Sequence, residues 1–154
     1  MEEIYDAGTI TDAVNSLPLS AVIIKKMSAE LKNILTMTST CANCEVYLLI
    51  TTRFDNYPIL GYGDVIIGHE IMEIGDAWKV GKTCCGENVR YKGKVYYVSK
   101  DGRTILTDYD LLYKLIYSGT DKQVLLLERI LIYTYPLWSN HSTLLRPPGC
   151  KIYR

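Results

Sequence analysis

Residues 87–107 read ENVRYKGKVYYVSKDGRTILT, and the folding of this stretch sets the class of the whole chain. Lys92-Gly93 and Asp101-Gly102 are two-residue turn signals, because Gly reaches positive φ cheaply and Asp tolerates it. Residues 89–92, 94–99 and 104–107 have strand composition on either side of those turns. The expected unit is a meander of two successive β-hairpins. With Lys92-Gly93 in a tight turn, Tyr91 pairs with Lys94, Val89 with Tyr96 and Glu87 with Val98. The second turn sets Val98 opposite Ile105 and Tyr96 opposite Thr107. Strand alternation then gathers Val89, Tyr91, Tyr96, Val98 and Ile105 on one face, with Glu87 among them. Asn88, Arg90, Val95, Tyr97 and Ser99 take the other.

A carboxylate on an apolar face must be paired, metal-bound or protonated, because burying a lone charge costs several kcal/mol. Glu87 is therefore the acidic residue of greatest interest. The plainer alternative puts it at the strand end in water, or paired with Lys94 or Arg103.

Working outward toward the N-terminus, residues 1–10 read as a loose lead-in, and Thr11-Asp12 caps a short helical turn that Pro18 ends. Residues 21–24 form a short apolar run with the composition of a buried strand. Ser28 is an N-cap for a helix over 28–37, with Leu31, Ile34, Leu35 and Thr38 on its apolar stripe. Residues 44–53, CEVYLLITTR, predict a strand buried on both faces. Residues 55–58 predict a turn, and Val65-Ile66-Ile67 a strand near the glycines at 61 and 63. Residues 69–80 predict two short strands about Ile74-Gly75-Asp76; a helical piece carrying Glu70, Glu73 and Asp76 is the alternative that Gly68 and Gly75 disfavour.

Beyond the meander, Thr107 or Asp108 caps an expected helix to residue 117, with Leu111, Leu112 and Leu115 inward and Ser118-Gly119 at its end. Residues 124–133 are compatible with helix by length and with strand at their Ile-Tyr-Thr-Tyr end. Pro136 stops that element, and residues 137–154 read as an irregular tail wrapped on the surface. The expected fold is one α+β domain: a mostly antiparallel sheet packed by two or three helices.

Composition narrows the function classes. Hydrophobic residues make up 48% and charged residues 22% of 154, which is globular and not disordered. Net charge is zero, so global attraction to nucleic acid is not expected, although a local basic patch is compatible with the sequence. No apolar run is long enough for a transmembrane helix, so no membrane partner is expected. MEEIYDAGTI lacks the basic and apolar regions of a signal peptide, and an intracellular location is the default.

The five cysteines are Cys41, Cys44, Cys84, Cys85 and Cys150, and the sequence leaves thiols, disulfides and metal ligation open for them. Cys41-Ala-Asn-Cys44 has the spacing of a zinc knuckle, but Cys84-Cys85 are adjacent and rarely both reach one ion, so structural zinc is disfavoured. The only histidines, His69 and His141, do not sit in a hydrolase motif, and Gly61-Tyr62-Gly63 lacks the rest of a phosphate-binding loop.

The constellation with most chemistry combines carboxylates and bases. Asp64, Glu70, Glu73 and Glu87 surround the expected central sheet, interleaved with Lys79, Lys82, Arg90, Lys92, Lys94 and Arg103. Carboxylates hold Mg²⁺ through oxygen, the metal generates hydroxide, Lys and Arg grip phosphates, and Tyr stacks on bases. Glu87 and Asp64 would be the catalytic carboxylates and metal ligands, and Arg90, Lys92, Lys94 and Arg103 the phosphate contacts. Glu87 and Lys92 do not have the spacing of the Asp-x(n)-Glu-x-Lys pattern of restriction-like nucleases. A solvated charged face is the alternative.

Thirteen Tyr against one Phe, with the size of the chain and Glu87 beside Arg90 and Lys92, resembles the small α+β nucleases of filamentous viruses of hyperthermophilic archaea. The resemblance implies metal-dependent cleavage of linear double-stranded DNA through an essential glutamate, in a host cytoplasm, and is compatible with a homodimer. A second resemblance, over residues 21–134, is to the JAB/MPN metalloprotease fold. It is carried by residues 21–24 as first strand, the helix from Ser28, Glu45 at the catalytic glutamate and Thr107-x-x-Asp110. Tyr97 and Ser99 stand where that family has its His-x-His, which implies a zinc-free interaction scaffold. Such a scaffold would expose an apolar patch, expected at 133–138.

Overall fold

The computed structural model describes residues 7–62, 65–85, 95–98, 104–107 and 111–150. In chain order the elements are α1 (Ala7–Asn15), α2 (Ala21–Leu35), β1 (Cys44–Thr51), β2 (Asp55–Leu60), β3 (Ile66–Met72), β4 (Ala77–Thr83), β5 (Val95–Val98), β6 (Thr104–Thr107), β7 (Leu111–Gly119), α3 (Asp121–Tyr133) and α4 (Tyr135–Trp138). The fold is α+β, and every strand pair is antiparallel.

The organising strand is β1. It pairs with β4 on one side and β7 on the other, giving the order β4-β1-β7. β2 with β3, and β5 with β6, form separate two-stranded sheets. Both faces of β1 are covered, as its continuous apolar run requires. Cys44, Val46 and Leu48 face α3, meeting Val124, Ile132 and Val80. Tyr47 and Leu49 face the β2–β3 layer, meeting Tyr57, Leu60, Met72 and Trp78. Gly81 permits this second packing: a Cβ there would collide with the Tyr47 ring, which lies across it and stacks on Tyr113 at 4.7 Å.

α3 is the middle layer, with apolar residues all round. Leu126 and Tyr133 turn away from the sheet to a cluster with Met27, Leu31 and Ile34 of α2 and Val14 of α1. Thr120 and Gln123 close its first turn in a reciprocal capping box. That cap, with length, decides residues 124–133 for helix.

Five readings of the sequence are corrected. Residues 21–24 are the first turn of α2, capped by Ser20 and not Ser28, because Ile23, Met27, Leu31 and Ile34 form one continuous buried stripe. The first strand of the JAB/MPN resemblance is therefore helical here. Residues 7–10, expected in a lead-in, belong to α1. Residues 55–58 open β2: Pro58 is tolerated at the margin of a two-stranded sheet, and its carbonyl accepts from Trp78 Nε1 at 2.9 Å. Residues 111–119 are a strand, not a helix. Leu111 is buried, but Leu112 and Leu115 are 48% exposed, and β7 pairs along the whole of β1. Pro136, expected to stop a helix, instead opens α4.

Within the meander, β5 and β6 form as expected, but Val98 pairs with Thr104 and Tyr97 with Ile105. This is one residue off the expected register. The Asp101-Gly102 turn itself lies outside the described residues. The expected strand at 89–92 and the pairings of Glu87, Val89 and Tyr91 lie outside the described residues. The two strands expected over 69–80 form, but in different sheets, and Gly75 takes φ 87° in the turn between them. The tail is irregular from 139 on and is pinned to the core: Leu60 N donates to Pro148 O at 2.8 Å and Gly149 N to Trp78 O at 2.7 Å.

Candidate functional site

The six residues assigned to nuclease chemistry, Asp64, Glu87, Arg90, Lys92, Lys94 and Arg103, lie outside the described residues. Of their expected neighbours, Glu70 and Glu73 go to a cluster that the sequence did not suggest, and Lys79 and Lys82 lie on β4 near Glu128.

That cluster centres on His141. Its ring is buried, with Nε2 2.8 Å from Asp76 Oδ2 and Nδ1 3.4 Å from Glu70 Oε1. Asp76 also accepts from Glu73 N at 2.9 Å and Asn140 Nδ2 at 3.3 Å. The strand end of β1 builds the turn that holds it: Asp76 N donates to Thr51 Oγ1 at 3.0 Å, Thr51 N to Asp76 O at 2.9 Å and Gly75 N to Thr51 O at 2.8 Å. Tyr135 brings the C-terminal segment alongside by donating to Ala77 O at 2.6 Å. Burial alone would raise the Asp76 carboxyl, but the bonds from His141, Glu73 and Asn140 outweigh it and hold the group below its ordinary value of 3.8.

The chemistry follows from this geometry. Each ring nitrogen lies within reach of a carboxylate, Asp76 closely and Glu70 at the limit of a hydrogen bond. The backbone N–H of His141 goes to Ser139 Oγ at 3.2 Å, and Ser142 is exposed. The cluster ties β3, the β3–β4 turn and the tail together.

A second buried group lies between α3 and the sheet. Glu128 is 8% exposed, and burial pushes its carboxyl above the ordinary 4.5, with Arg129, Lys82 and Lys79 acting against that. Arg129 bridges Glu128 at 3.3 Å to Glu30 of α2 at 2.8 Å, and Tyr133 OH donates to the same Glu30. Because the folded state binds the Glu128 proton more tightly than the unfolded chain, its ionisation costs stability as pH rises through the ordinary value. Glu128→Gln is expected to raise Tm at pH 7 and to leave it nearly unchanged at pH 4, which thermal melts at the two pH values would check.

Glu45, matched to a catalytic glutamate in the JAB/MPN resemblance, accepts from Tyr113 OH at 2.7 Å. Burial, then the Glu45 bond, raises the Tyr113 phenol above its ordinary value. Among the described residues, no group of three His, Cys, Asp or Glu is placed to hold a metal ion. No described helix is long and apolar enough to cross a membrane.

The cysteines resolve into pairs. Cys41–Cys85 and Cys44–Cys84 are disulfides, and Cys150 is a buried thiol whose pKa burial raises to about 11.

The expected apolar patch at 133–138 is only partly exposed: Tyr133 and Tyr135 are buried, while Leu137 and Trp138 reach the surface. A more continuous apolar row lies on β3 and the residue before it, where Val65, Ile67 and Ile71 are 58%, 62% and 61% exposed. No protein family model, curated protein or solved structure matches the chain.

Proposed function

We propose that the chain is a non-enzymatic interaction module that pairs with a second copy of itself through the outer face of the β2–β3 sheet. The observation that carries this is the row Val65, Ile67 and Ile71. The residues are spaced by two, so they share one face, while Tyr57, Leu60 and Met72 of the same hairpin are buried against the core. A two-stranded sheet that is apolar on both sides is an incomplete layer, and such faces mark contact sites. Only His69 interrupts the row, so it brings no fixed like charges together, and the net charge of zero adds no repulsion between copies. A two-fold contact sets the same row against itself. Sedimentation equilibrium is expected to show a dimer that Ile67→Lys converts to a folded monomer whose Tm, unlike that of wild type, does not depend on concentration. A wild-type chain that stays monomeric at high concentration sinks the reading.

A second reading keeps the metal-assisted nuclease. It is favoured by the placement of β5, which follows the basic segment 87–94 and lies against β7 at the margin of the central sheet. Glu87 would act as metal ligand or general base with Asp64 as second carboxylate, Mg²⁺ as cofactor, DNA as substrate, and Arg90, Lys92, Lys94 and Arg103 on phosphates. Cleavage of linear duplex DNA that needs Mg²⁺, stops with EDTA and is abolished by a folded Glu87→Ala is the expected result. Equal cleavage by the variant would remove Glu87 from the centre.

A further inference from the structure

The end of the β1–β4 pair carries two disulfides in very different surroundings. Cys44 is 1% exposed and is packed among Val46, Val80 and Val124. Cys41 is half-buried and Cys85 is exposed, so the outer bond is within reach of solvent. The two sulfurs of that outer bond also differ. Cys41 Sγ accepts from two backbone N–H groups, Cys85 N at 3.3 Å and Asn43 N at 3.4 Å. The Cys41 backbone carbonyl, not its sulfur, meets the first turn of α3: Asp121 N donates to Cys41 O at 2.9 Å. The nearby Asp121 carboxylate is occupied by Thr40 N, Thr40 Oγ1 and Lys122 N. Cys85 Sγ instead faces a carbonyl oxygen, Asn43 O at 3.6 Å.

We propose that Cys41–Cys85 is a redox-active disulfide that exchanges with an external dithiol, with Cys85 as the sulfur attacked and Cys41 as the leaving thiolate. Two backbone N–H groups stabilise a thiolate at Cys41, whereas a carbonyl oxygen destabilises one at Cys85. Exchange is faster when the better-stabilised sulfur leaves. One thiolate of the dithiol attacks Cys85 Sγ, the Cys41–Cys85 bond breaks, and its electron pair leaves on Cys41. The second thiolate of the dithiol then closes on the first sulfur, expelling Cys85, which takes a proton. The dithiol becomes a disulfide and the protein gains two electrons and two protons once Cys41 is protonated. Cys44–Cys84 stays closed through the cycle and keeps Cys41 and Cys85 facing each other, ready for reoxidation.

The folded full chain is treated with limiting dithiothreitol, quenched with N-ethylmaleimide, and the labelled sulfurs are located by fragmentation mass spectrometry. Label on Cys41 and Cys85, with Cys44–Cys84 intact, is expected. Prior or equal labelling of Cys44 and Cys84 overturns the proposal, as does retention of both bonds until the chain unfolds. Two single variants test the polarity. Cys85→Ser frees Cys41, and Cys41→Ser frees Cys85, each in a chain still closed by the inner bond. Cys41 is expected to alkylate about threefold faster than Cys85 near pH 7, since a one-unit lower thiol pKa raises the thiolate fraction about tenfold while lowering its nucleophilicity about threefold. Equal rates, or a faster Cys85, would reverse the assignment of leaving group.

Discussion

Asp76→Ala is expected to destabilise the protein by about 3–5 kcal/mol, since it leaves His141, Glu73 N and Asn140 without their shared acceptor at about 1–3 kcal/mol each. At this chain length that corresponds to a fall in Tm of very roughly 6–20 °C. The size follows from what Asp76 holds. Its carboxylate receives His141 Nε2, Glu73 N and Asn140 Nδ2, and its backbone is stapled to Thr51. Truncation orphans a buried imidazole and loosens the tail that covers Trp78. The pH dependence has a definite sign. The folded carboxyl lies below its ordinary value of 3.8, so its stabilisation is complete above that value and is lost as pH falls through the folded pKa. The stability gap between wild type and Asp76→Asn should therefore be widest near neutrality and shrink below about pH 4, since Asn cannot titrate. Chemical denaturation at pH 7, 4 and 2.5 would measure it. A gap that is small at pH 7, or that widens in acid, would mean that Asp76 is not the anchor of this cluster.

Nothing local in the sequence points to that cluster. Asp76 and His141 are 65 positions apart, and each stands in an ordinary polar turn. What joins them is the return of the tail along β4, a tertiary event. The same limit explains β7. Leu111, Leu112, Leu115 and Ile116 imitate one stripe of a helix, while Leu111, Tyr113 and Leu115 alternate as in a strand. The unpaired side of β1 decides between them, and β1 is far away in the chain. Where one-dimensional patterns are strong the reading holds: β1 through its continuous apolar run, the β3–β4 turn through Gly75, and β5 and β6 through their composition. Two corrections were within reach. The stripe Ile23, Met27, Leu31 and Ile34 crosses Ser28 without a break, so Ser20 was the better cap. Thr120 with Gln123 marks a capping box ahead of the segment whose helix or strand character was open.

Removing both disulfides is expected to cost about 4 kcal/mol, and removing only the outer one far less. The inner bond joins residues 40 apart, and closing a loop of that length in the unfolded chain corresponds to roughly 4 kcal/mol at 25 °C on the chain-entropy model. The outer bond spans 44 residues, but the two are nested. Once Cys44–Cys84 is closed, Cys41 and Cys85 are already neighbours, and the second bond restricts only the few residues between them. The expected order is therefore wild type close to Cys41→Ser/Cys85→Ser, with Cys44→Ala/Cys84→Ala next, because there the outer bond still closes the large loop but one buried and one half-buried sulfur are truncated. The quadruple variant should be lowest, with a Tm about 8–16 °C below wild type. Thermal melts of the three variants measure this. Additive losses from the two pairs would mean that the bonds restrict the unfolded chain independently. Non-additive losses, with either bond sufficient to close the loop, give the division of labour that redox exchange at Cys41–Cys85 requires: the outer bond can open while the fold stays closed.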